Sequence, residues 1–146
     1  MDTPTITEAI TLAVGPIFLL VAIGGMLNVM TARLGRVVDR ARTLEDLLVD
    51  DTDPDEIARH REELIALGKR MRQSNRAIYA TSASGLFICL MVPLLFIEQF
   101  LPFSVAGVIA LIFAVTMGLL LLGILFFLRE ISVASKSLKI RQELLR

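Results

Sequence analysis

Few residues in this sequence could do chemistry. Glu98 sits beside Gln99 near the end of a long apolar run. An ionisable group there could serve as an ion or proton site at an outer mouth, or simply be a solvated end-residue. His60 is the single histidine; it could sense pH, yet it also falls on a helix-packing repeat. Cys89 is the single cysteine, has no disulfide partner, and reads as a small apolar helix residue. The stretch 50–56 gathers Asp50, Asp51, Asp53, Asp55 and Glu56. It could attract a cation, but it lacks the glycine and ligand spacing of a calcium loop, and helix capping accounts for it better.

The largest group is basic. Arg33, Arg36, Arg40 and Arg42 follow the first apolar run with Asp39 among them, and Lys69, Arg70, Arg72 and Arg76 precede the second. Asn28, Thr31, Ser74 and Asn75 stand where those runs meet the charges. Such a set could hold anionic lipid headgroups, pair internally, or ring the inner mouth of a pore. Asp39 is expected to pair with a neighbouring arginine, or with Lys69 or Arg70. A nucleic-acid arm would need a detached, net-basic surface; here acids are interleaved and the formal net charge is zero. No catalytic pair, phosphate-cradling glycine loop or metal-ligand cluster is present, so the chain reads as a non-enzyme without a cofactor.

The elements that carry these groups are apolar and long. Of the 146 residues, 55% are hydrophobic, and the mean hydropathy of +0.70 exceeds that of an ordinary soluble domain. Three runs account for it, about 10–30, 77–100 and 105–128. Each can cross a hydrocarbon core of about 30 Å as a helix. The first is expected to stay uncleaved, because its acidic start and long apolar core do not suit a signal peptide. Lys and Arg are absent before Arg33 and between Ala77 and Leu128. The positive-inside rule therefore places the N-terminus outside and both the 31–76 segment and the tail in the cytoplasm.

Between the first two spans apolar residues recur in steps of four and three: Met30, Leu34, Val37, Ala41, Leu44 and Leu48. On the way back come Ile57, Leu64, Leu67, Met71 and Ile78, with His60 and Ser74 in the remaining slots. That beat predicts two helices packed side by side in an antiparallel hairpin. Asp53 suits an N-cap, Pro54 the first helical position, and Glu56 the return arm of a capping box. The tail 129–146 repeats the beat at Ile131, Ala134, Leu138 and Leu145 and could complete a three-helix stalk.

Small residues also recur at intervals of four. Ala106, Ala110, Ala114 and Gly118 mark the third span, and Ala77, Thr81, Gly85 and Cys89 the second. They let helix backbones approach closely, within a chain or between copies. Gly15-Pro16, Gly24-Gly25 and Pro93 suit ordinary kinks in spanning helices.

The stretch LNVMTARLGRVVDRAR, with RQSNRAI opening the second span and LLFI closing it, resembles a bacterial membrane family catalogued as domain of unknown function 2721. Asn28, Thr31, Arg33, Leu34, Arg36, Asp39, Arg40 and Arg42 match its most specific run, and Asn75 and Arg76 match the polar step before the second span. The resemblance implies topology and no chemistry. The expectation is thus an all-α integral protein of a bacterial inner membrane, one domain over 1–146, with three long helices extending into a cytoplasmic hairpin. Its activity is expected to be that of a homo-oligomeric ion-conducting pore, with a non-conducting scaffold that binds a partner or organises anionic lipids as the alternative.

Overall fold

The computed structural model describes residues 6–50 and 53–142, without the side chains at 6, 9, 50, 99 and 133–142. The tail positions Ala134, Leu138 and Leu145, the tail cations Lys136, Lys139, Arg141 and Arg146, and Asp51 of the acidic tip lie outside that description. Among the described residues there are three α-helices: α1 over Ile6–Asp50, α2 over Pro54–Ile97 and α3 over Ala106–Gln142. Each contains a stretch long and apolar enough to cross a membrane, and among the described residues there is no strand. At about 1.5 Å per residue, the 45 residues of α1 extend roughly twice the thickness of a hydrocarbon core.

The helices run through Pro16 and Pro93 without a break. Each proline removes one backbone donor, freeing the carbonyls of Leu12 and Cys89, a loss spanning helices tolerate. The turn between α1 and α2 is fixed at Asp53. Its carbonyl accepts the Ile57 N–H at 3.0 Å and its Oδ1 accepts the Asp55 N–H at 3.1 Å. Glu56 departs from the capping box: its carboxylate accepts from Arg59 at 3.2 Å. A cation one turn on competes well with a water-exposed backbone N–H.

α2 ends at Ile97, three residues before the apolar run does, and a single 3₁₀ turn, Glu98–Phe100, follows. Leu101 is extended, as the residue before Pro102 must be to avoid the proline ring.

The helices contribute to two compact units. One, the apolar unit, takes α1 up to Asn28, α2 from Tyr79, and α3 up to Gly123. Ala13, Ile23, Ile88 and Met91 fill its interior together with Thr81, Ser84 and Thr116. Phe18, Val21, Leu86 and Leu111 stand on its surface. Gly85 packs α2 against α1 without requiring a glycine: a Cβ there would lie 3.5 Å from Ile23 and 3.8 Å from Leu20, ordinary contact distances. The other, the charged unit, takes Val29–Ile78 and α3 from Ile124. Val37, Leu44 and Leu67 form its core, with Ala41, Leu64 and Met71 packed against them. These are positions of the four-three repeat, and their burial holds α1 and α2 together as an antiparallel pair.

Candidate functional site

The chemistry-bearing side chains concentrate in the charged unit, and α3 supplies its centre. Glu130 is 1% exposed. Its Oε1 accepts a hydrogen bond from Arg70 on α2 at 3.1 Å, and its Oε2 lies 3.7 Å from Arg33 Nε on α1. Arg33 also stacks over the ring of Phe127, with 5.4 Å from guanidinium carbon to ring centre. Phe127 and Glu130 are three residues apart on α3 and so share a face. One turn of α3 therefore grips Arg33 by ring and carboxylate while reaching α2. A carboxylate this deep is stable only with charged partners, and here two arginines supply them.

Sequence reading names Arg33 and Arg70 but misses Glu130. A signal exists: Glu130 is the only acid between Glu98 and Glu143, and it directly follows Arg129 at the end of an apolar run. Further along the pair, Arg40 on α1 meets Glu63 on α2 through two hydrogen bonds, Nε to Oε1 at 2.9 Å and Nη2 to Oε2 at 3.2 Å. That pairing takes the place expected for Asp39. Asp39 is exposed, its carbonyl accepts the Thr43 hydroxyl at 3.0 Å, and among the described residues its carboxylate makes no ion pair. The physical reason is reach: Glu63 faces Arg40 across the helix pair, while Asp39 points to solvent.

The remaining cations stay outside. Arg36, Arg42, Lys69, Arg72, Arg76 and Arg129 are exposed and form no ion pair among the described residues. Of the polar belt residues in this unit, Ser74 is buried while Thr31 and Asn75 are exposed; Asn28, which closes its stretch of the apolar unit, is exposed too. His60 is half-buried. A shallow groove of about 300 Å³ runs between α1 and α2, floored by Ala41, Leu64 and Met71 and edged by Arg42 and Glu45.

The apolar unit places its few polar groups differently. Ser84 donates to the Thr81 carbonyl at 2.7 Å and Thr116 to the Ile112 carbonyl at 2.8 Å, so each hydroxyl is satisfied by its own helix. Glu98 does structural work: its Oε1 accepts the Ser104 hydroxyl at 3.0 Å and the Val105 N–H at 3.2 Å, capping the start of α3. A carboxylate at a helix N-terminus also meets the positive end of the dipole. Ala106, Ala110, Ala114 and Gly118 are all exposed, and a Cβ on Gly118 would touch nothing within 4 Å. That stripe is left open among the described residues, whereas Ala77, Thr81 and Gly85 on α2 are buried. Cys89 is exposed.

Among the described residues no three His, Cys, Asp or Glu side chains gather as metal ligands. No curated protein and no solved structure matches the chain. A family model described as "Protein of unknown function (DUF2721)" matches residues 13–140, and the chain belongs to that family.

Proposed function

We propose that the chain is a non-conducting membrane scaffold, a non-enzyme whose three helices cross the bilayer and carry a helical hairpin on the cytoplasmic side. The orientation rests on the basic residues, which flank the spans at one end only. One observation carries the scaffold reading: between its ends, the outward face of the apolar unit offers almost nothing to water. From Leu12 to Leu27 α1 has no polar side chain, and over 106–123 α3 has only the buried Thr116. On α2 beyond Tyr79 the exposed polar groups are the Ser82 hydroxyl and the Cys89 thiol. An ion path needs rings of carbonyls, hydroxyls or charges to replace hydration water, and copies assembled through this surface would have few to give.

The charged unit then becomes the working part. Its paired arginines brace three helices, and its unpaired cations are available to anionic headgroups or to a protein partner. A homo-oligomeric pore is the second reading. It draws on the exposure of Asn28, Thr31 and Asn75 and on the open small-residue face of α3, which suits packing between copies. Purified protein in planar bilayers separates the two. The scaffold gives no ion-selective conductance from a well-folded sample; conductance altered by Asn28→Leu or Arg36→Ala would establish the pore instead. Cross-linking in native membranes that finds only monomers would exclude the pore.

A further inference from the structure

The cations of the charged unit divide by partner. Arg33 and Arg70 close on Glu130, and Arg40 closes on Glu63. Lys69, Arg72 and Arg76 have no such acid. They recur at three and four residues, which puts them on one face of α2 over about 10 Å. All three are exposed. From Leu64 to Ile97 α2 contains no Asp or Glu, so no carboxylate on this helix lies within a turn of any of them. Like charges at this spacing destabilise a helix unless an anion sits between them. The face ends where the second apolar run begins, at Ala77. Anions guaranteed at that depth are lipid phosphates.

We propose that the Lys69/Arg72/Arg76 face of α2 is a binding site for a phospholipid whose headgroup carries two phosphates. Three cations with no acid beside them on α2 and no ion pair among the described residues match a dianion better than a monoanion, which would leave two of them unmatched. Arginine's planar fork takes phosphate oxygens two at a time, so Arg72 and Arg76 can each hold one phosphate. Lys69, farthest from the apolar run, adds charge without fixing geometry. Neither Arg33 nor Arg70 is spare for this role, because Glu130 already holds both.

The proposal rests on the scaffold reading only for membrane insertion, and the two can fail separately. Conductance would sink the scaffold and leave this site intact; a silent protein without lipid preference would do the opposite.

The test is native mass spectrometry of the full chain, titrated with cardiolipin or with phosphatidylglycerol at equal total phosphate. Cardiolipin should bind about tenfold more tightly, and the preference should vanish in R72Q/R76Q while surviving in R40Q. Should R72Q/R76Q fail to fold, R72K/R76K keeps the charge and is expected to lower the preference to about threefold. Equal binding of the two lipids overturns the proposal, as does a full preference retained in either double variant. Displacement of cardiolipin by inorganic pyrophosphate at equal phosphate would also overturn it, by showing that the site reads a soluble anion.

Discussion

In the apolar unit three hydroxyls are inside and many large apolar side chains outside: Thr81, Ser84 and Thr116 are wholly buried, while Phe18 is 71% and Leu111 65% exposed. In the charged unit the order reverses. Met30, Leu44 and Leu67 are buried, and Arg36, Arg42, Arg72 and Arg76 face outward. The same three helices contribute to both, so the difference comes from side chains and not from backbone. It teaches what surrounds each part. Water drives apolar groups together, whereas lipid exerts no such drive and asks only that polar groups be satisfied. Glu130 is the exception, a charge fully buried in a unit whose other described charges are half-buried or exposed.

That exception gives the largest expected effect. Glu130→Ala strands Arg33 and Arg70, which are 31% and 25% exposed, and should cost about 3 kcal/mol of stability by reversible unfolding in micelles. A triple change, Arg33→Leu, Arg70→Met and Glu130→Leu, should recover most of that loss, because apolar packing can replace a buried ion cluster. A triple variant as unstable as the single one would show that the stranded arginines are not what the single change costs.

Core truncation sharpens the contrast between the units. Leu44→Ala empties a fully buried site and should cost about 3 kcal/mol. Phe18→Ala, on the exposed face of the apolar unit, should leave the unfolding midpoint in micelles nearly unchanged. Equal losses would mean that Phe18 is packed against protein, as it would be in an oligomer.

Much of this architecture is legible in the sequence, since periodicity and length are local properties. The four-three repeat marks Val37, Leu44 and Leu67 as core, and the apolar runs mark the three spans. Asp53 and Pro54 mark the turn through backbone chemistry alone. Ion pairing is less legible because it depends on which helix faces which. Asp39 has three arginines within three residues of it yet pairs with none of them among the described residues, and Glu63 and Glu130 reach Arg40 and Arg70 from 23 and 60 residues away. Glu98 shows the same limit. An acid at the end of an apolar run suggests an ion site, but the carboxylate turns to Ser104 and Val105 just ahead of α3, whose position composition does not specify.

Smaller effects test those assignments. Glu98→Ala should cost about 1 kcal/mol through the lost cap without creating or removing any conductance. Thr116→Val should cost no more than about 0.6 kcal/mol, because the hydroxyl bonds only its own helix. A much larger loss would place an unrecognised partner on that hydroxyl.

The central claim is the exchange of surroundings between the two units, and spin-label accessibility tests it most directly. On a Cys89→Ser background, labels at Val21, Leu86 and Leu111 are compared with labels at Asp46, Glu62 and Arg72 in reconstituted membranes. The first three should collide preferentially with oxygen, and the last three with a water-soluble nickel chelate. Nickel access at Val21 or Leu111 equal to that at Glu62 would put water where lipid is required and contradict the account.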